Sequence, residues 1–122
     1  MALPKEKPRS LIFSCESNHK VIELRRDERH FDLNITDLKD NRVIFSESCK
    51  KSALQSNRYQ REFITGNMLT CKNEDARFTL FDYMNEEKEV VQSTGIDVQV
   101  EETKFTYYCK KNTINFIHEL VQ

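Results

Sequence analysis

The dominant period of apolar residues in this chain is two, not 3.6, a spacing that suits strands. Phe31, Leu33 and Ile35 are separated by Asp32 and Asn34, and Ile96, Val98 and Val100 by Asp97 and Gln99. An extended chain sends neighbours to opposite faces, so each stretch reads as a strand with one dry side and one wet side. Residues 11–15 and 21–24 are short apolar runs about a polar turn at 16–19, and a further strand at 42–46 follows Asp40-Asn41. Residues 63–71 read as two strand pieces hinged at Gly66-Asn67. Residues 105–109 read as another strand, with Thr103-Lys104 before it either a tight turn or a continuation. Within 77–83, Phe78 and Leu80 take one parity while Phe81 and Tyr83 take the other, which calls for a bulge or a strand buried on both sides.

The result is about nine short strands at spacings of roughly 8–12 residues, the rhythm of an all-β sandwich or barrel. Two segments keep a helical alternative: 84–92, through its Glu-Glu-Lys-Glu run, and 113–122, where Ile114, Ile117 and Leu120 fall at helical spacing. Ile114 and Phe116 favour strand at the start of the second. With only two glycines, tight turns must draw on Asn and Asp, which tolerate left-handed backbone. Both prolines, Pro4 and Pro8, precede Arg9, so residues 1–9 read as a flexible leader and 10–122 as one all-β domain.

Nineteen basic and twenty acidic side chains nearly cancel, which excludes a domain-wide basic field for nucleic acid or anionic membrane. No apolar run approaches the roughly 20 residues of a membrane span. The first residues carry charge with no apolar segment behind them, so no signal peptide is expected and the expected compartment is the cytoplasm. Cys15, Cys49, Cys71 and Cys109 form no close pair of the kind that aims two thiolates at one zinc ion. An even count permits disulfides, but a reducing compartment favours buried free thiols behaving as small hydrophobes.

His19, His30 and His118 stand apart, outside any metal or base motif. Ser14-Cys15 lacks the glycine-rich elbow a nucleophile needs, and two glycines cannot build a dinucleotide loop. No cofactor and no metal are expected. The nearest approach to catalysis is Asp82 or Asp97 with Glu102 and Lys104, a spacing that Mg²⁺-dependent nucleases use. Arg25, Arg26 and Arg29 with Lys50 and Lys51 are the candidate binding residues, because Arg and Lys near a turn can present a local basic patch to a protein. Asn34-Ile35-Thr36 is a glycosylation sequon, expected to stay unmodified on a strand without a secretory signal.

Gly66-Asn67-Met68-Leu69-Thr70-Cys71, the charged turn at 72–75, and Phe78-Thr79-Leu80-Phe81-Asp82-Tyr83-Met84 together resemble the central hairpin of the interleukin-1 family of cytokines. Lys104-Phe105-Thr106-Tyr107-Tyr108 followed by Ile114-Asn115-Phe116-Ile117-His118-Glu119 is similar to the family's next strand pair, and Arg9-Ser10-Leu11 with Ser14-Cys15 to its first strand. The family's F-E-S serine is replaced, since Leu120 follows Glu119, and the family pattern continues beyond this point. The resemblance implies a β-trefoil-like barrel incomplete in its third lobe, with a sandwich as the alternative. It also implies export without a signal peptide, and action as a ligand or decoy on an immunoglobulin-like receptor ectodomain. The chain is accordingly expected to be a non-enzymatic protein-binding module. The alternatives are an intracellular β-sheet adaptor taking a partner peptide or strand at an edge and, more remotely, the Mg²⁺ nuclease.

Overall fold

A computed structural model describes residues 10–115, with side chains from 10 to 110. The fold is all-β, in two five-stranded antiparallel sheets. The first holds β1 (Ser10–Ser17), β2 (Lys20–Arg26), β3 (His30–Asp37) and β4 (Arg42–Lys50) as a meander, with β10 (Lys111–Asn115) returning to pair with β1. A short 3₁₀ turn, Lys51–Ala53, carries the chain across to the second sheet. There β5 (Leu54–Arg61), β6 (Ile64–Lys72), β7 (Ala76–Asn85), β8 (Val91–Val100) and β9 (Thr103–Tyr108) form a second meander. No closed barrel forms among the described residues, and the two-sheet arrangement is that of the sandwich.

The alternation sets the packing. Phe13, Ile22, Leu24, Leu33 and Ile35 from the first sheet meet Leu69, Phe78, Leu80, Ile96 and Val98 from the second in one buried cluster. Each such side chain contributes roughly 1.5–3 kcal/mol by leaving water. The turns follow the expected chemistry in part. Asn18 and Asn41 adopt positive φ, and His19, Phe63 and Glu101 join them. At Asn18-His19 two successive left-handed residues make the two-residue connection whose twist matches the flanking strands.

The cysteines are not free thiols. Cys15 of β1 bonds Cys109, just past β9, and Cys49 of β4 bonds Cys71 of β6, so both bridges tie one sheet to the other. Their Cα atoms stand 5.6 and 6.1 Å apart, within bridging range. Linear spacing hid this, because the two meanders had to stack before the partners could meet. Other expectations are corrected as well. Ten strands form among the described residues, β5 being one that the alternation did not mark, and β6 runs unbroken through Gly66. Residues 84–92 finish β7, turn, and enter β8 with no helix. β7 keeps an unshifted register on both sides and carries no bulge; Phe78 and Leu80 are buried on its inner face, and on its outer face Phe81 is the one buried residue. Residues 111–115 are strand, as favoured. Residues 1–9, for which a flexible leader is expected, and residues 116–122, with His118, lie outside the described residues.

Candidate functional site

The structure gathers four of the five expected binding cations. Arg26 pairs with Phe31, His30 with Lys50, and the Lys51 amide donates to the Arg29 carbonyl at 3.0 Å. All four therefore lie at the end of the sandwich where the chain crosses between sheets. Arg26 and Lys51 line a shallow depression there with Phe31, Leu54 and Ser56. Arg25 points elsewhere, to the outer face of the first sheet, where it pairs with Glu23 at 3.0 Å. The cluster is not purely basic. Asp27 Oδ1 accepts from the Arg29 and His30 amides at 2.7 Å, and Glu28 stands in the same turn.

Of the nuclease candidates, Asp97 and Lys104 line one shallow pocket on the second sheet, while Asp82 stands on the opposite face. Asp82 lies opposite Thr94 and Asp97 opposite Thr79, positions of opposite parity, so the two carboxylates face away from each other across β7 and β8. Asp82 Oδ1 accepts from Thr94 Oγ1 and Gln92 Nε2, both at 2.8 Å, while Asp97 Oδ1 accepts from Thr106 Oγ1 at 2.5 Å. Glu102 sits in the β8–β9 turn and Lys104 at the start of β9. Among the described residues no group of three or more His, Cys, Asp or Glu side chains converges as a metal site would.

The second sheet holds a feature that charge-based reading missed. In its near half the inner face is apolar, with rows Leu54–Cys71–Phe78–Val98–Phe105 and Leu69–Leu80–Ile96–Tyr107 against the first sheet. The outer face of that half is polar: Gln55, Thr70, Thr79, Asp97 and Thr106 lie in one row, and Lys72, Arg77, Gln99 and Lys104 in the next. Thr70 and Thr79 share a hydrogen bond at 3.0 Å, and Arg77 Nη2 donates to Gln99 Oε1 at 3.0 Å.

Two residues further along each strand the polarity reverses. The inner face now carries Arg58–Asn67–Asp82–Thr94 and Gln60–Thr65–Met84–Gln92, and all of these but the buried Thr94 line a polar cleft of about 370 Å³. The outer face becomes aromatic, with rows Asn57–Met68–Phe81–Gly95–Tyr108 and Tyr59–Gly66–Tyr83–Ser93. Cys109 marks the boundary: its amide donates to the Thr94 carbonyl at 2.8 Å while its sulfur is tied to β1.

Four rings form a continuous band from β5 to β9. Tyr59 meets Tyr83 edge-on at 5.7 Å between centroids, Tyr83 stacks with Phe81 at 5.5 Å, and Phe81 meets Tyr108 edge-on at 5.8 Å. Such offset and perpendicular geometries suit the ring quadrupoles. Both glycines of the chain lie under this band. A Cβ on Gly66 would collide with the Tyr83 ring, and one on Gly95 with the Phe81 ring and the Tyr107 backbone. The absence of side chains there lets the rings settle on the sheet. Arg61 holds its guanidinium 5.6 Å from the Tyr59 ring centroid. Ile64 and Val91 continue the patch, and Phe63 projects from the adjoining turn in left-handed backbone. Tyr108 is 61% exposed, Phe63 52% and Val91 51%, while Tyr59 and Tyr83 are half-buried and Phe81, at the centre of the band, is 5% exposed. Tyr, Phe, Met and Arg are the side chains enriched where proteins dock.

Burial, then the nearby Asp97 carboxylate and Tyr59, push the Tyr83 phenol above its ordinary value of 10.0. The phenol therefore stays neutral at physiological pH, a donor on an apolar surface. The sequence clue was the split parity of Phe81 and Tyr83. Tyr59 and Tyr108 joined the band only once register was known. Set against known protein families, curated proteins and solved structures, the chain finds no match in any of the three.

Proposed function

We propose that this chain is a disulfide-locked protein-binding module of the extracellular space, acting as a ligand or decoy on an immunoglobulin-like receptor ectodomain. One observation carries the reading: the Tyr59–Tyr83–Phe81–Tyr108 band, outward on the second sheet and opposite the core. Rigid aromatic side chains give large contact area with little ordering cost, and an exposed apolar patch is itself a pointer to a partner. The two inter-sheet disulfides support an oxidising compartment. The interleukin-1 resemblance supplies the partner class. The cations at the sheet crossing would act as rim charges that steer association.

A second reading, strand addition at β5, draws on one specific observation. β5 is an edge strand in unbroken register with β6 over Leu54–Arg61, without proline or bulge, the type of edge that accepts a partner strand. The test is surface binding of the folded, disulfide-bonded protein to a panel of immunoglobulin-like receptor ectodomains. Saturable binding below about 1 μM, near −8 kcal/mol, supports the proposal. Failure to bind any of them contradicts it. Binding that a proline at Gln55 or Asn57 abolishes while Tyr108→Ala leaves it intact favours strand addition.

A further inference from the structure

We infer that Asn34 is an N-glycan attachment site, and that its glycan marks the outer face of the first sheet as the side turned away from the partner. The sequon Asn34-Ile35-Thr36 lies within β3, where Ile35 is buried in the core and Asn34 and Thr36 are only half-buried. Extended backbone thus sends the acceptor amide and the required hydroxyl out on the same face. Asn34 lies opposite Glu23 of β2 and Ser46 of β4, and Ser46 is small, exposed and on the sheet's edge strand. A sugar at Asn34 therefore has open space over Ser46. On that face Glu23, Asn34 and Ser46 lie in one row with the buried Ser14 at its end, Arg25, Asp32 and Ser48 form the row on one side and Val21, Thr36 and Val43 the row on the other, and no aromatic residue stands in these rows.

The disulfides remove the compartment objection. Cys15–Cys109 and Cys49–Cys71 leave no free cysteine among the described residues, and oxidising lumens where such bonds form are also where sequons meet their transferase. In the transfer, Asn34 Nδ2 bonds to C1 of the first sugar of a lipid-pyrophosphate-linked oligosaccharide. The C1–O bond to the pyrophosphate breaks, the lipid pyrophosphate leaves with that electron pair, and the amide yields one proton to a base. This inference rests on the extracellular reading given above and takes the route to be through such a lumen, not the export without a signal peptide that the resemblance implies, so the two can fail separately.

The experiment is intact-mass and glycosidase analysis of the full chain recovered from eukaryotic cells that make it, with free thiols alkylated in the same sample. Expected is a single occupied site, removed by peptide N-glycosidase to leave aspartate at position 34. It should be absent in Asn34→Gln and Thr36→Ala, and retained in Thr36→Ser, which keeps the hydroxyl and guards against a folding artefact. A disulfide-bonded chain with unmodified Asn34 overturns the inference and leaves the extracellular reading standing. A chain whose cysteines all alkylate overturns both.

Discussion

The near and far halves of the second sheet continue the same strands in the same register, β9 reaching the far half only at Tyr108, yet they carry their apolar side chains on opposite faces. Along β7, Leu80 enters the core while Asp82, the next residue on that face, lines a polar cleft. On the other face Thr79 shares a hydroxyl hydrogen bond while Phe81, two residues on, lies under aromatic cover. The first sheet accounts for the difference. It covers the near half, where apolar side chains leave water on both partners, and the Cys15–Cys109 bridge closes that contact where the row ending in Thr94 begins. Beyond it the inner face must be polar to meet solvent, and the outer face is where the sheet places its apolar side chains. An apolar outer face does not follow from folding the sandwich, and this is why it reads as a binding surface.

The bridge offers the largest perturbation of this contrast. Replacing Cys15 and Cys109 by alanine releases a 94-residue closure, and chain-entropy reasoning puts the loss at about 4–5 kcal/mol, against about 3 kcal/mol for the 22-residue Cys49–Cys71 closure. Denaturant unfolding under non-reducing conditions should rank them in that order. Next comes the pair of neighbours on β7. Leu80→Ala should cost about 3 kcal/mol, since it opens a cavity in the core. Asp82→Ala should cost about 1 kcal/mol, the net worth of its bonds to Thr94 and Gln92. Equal losses would mean that the two halves are packed alike. Gly66→Ala tests the aromatic cover and should cost about 2 kcal/mol by forcing Tyr83 off the sheet. In the background of Tyr83→Ala the same change should cost far less, a coupling that a double-mutant cycle reads directly.

Smaller effects sharpen the picture at the margin of the band. Phe63 holds φ of 67° while 52% exposed, so its side chain contributes little burial in return for the left-handed backbone. Phe63→Asn should stabilise the fold by about 1 kcal/mol while weakening partner binding. The smallest effect is alkaline. With its pKa raised, folded Tyr83 keeps its proton after the unfolded chain has lost its own near pH 10.0. Its contribution is therefore fully present below about pH 10 and lost as pH rises through the folded value. Tyr107, raised by burial and then by Asp37, adds to the same loss. Tyr83→Phe should flatten part of the decline in melting temperature above pH 10.

Much of the architecture was legible in residue alternation. β3 and β8 declare themselves through Phe31-Leu33-Ile35 and Ile96-Val98-Val100, because burial on one face leaves a period of two in any sequence. β5 escaped because it is an edge strand whose inward positions, Ser56, Arg58 and Gln60, meet solvent and the cleft, so no dry face exists to leave a pattern. Disulfide pairing escaped because it depends on how two meanders stack. Of the surface residues, Arg26, Arg29, Lys50 and Lys51 lie at one end of the sandwich and Arg25 on the outer face of the first sheet, while the aromatic band needed cross-strand register to be seen. Gly66 read as a hinge for the same reason, since only the fold shows Tyr83 lying over it.

The most direct test of the central claim compares the two halves of the same outer face in one binding experiment. Tyr59→Ala and Tyr108→Ala in the far half are set against Thr79→Ala and Thr106→Ala in the near half, with affinity for the bound ectodomain measured for each. If the far half is the docking surface, at least one tyrosine change should weaken binding by about 30-fold, roughly 2 kcal/mol, and the threonine changes by less than about threefold. Threonine changes that cost as much as the tyrosine changes, or tyrosine variants that bind like the parent protein, would contradict the account.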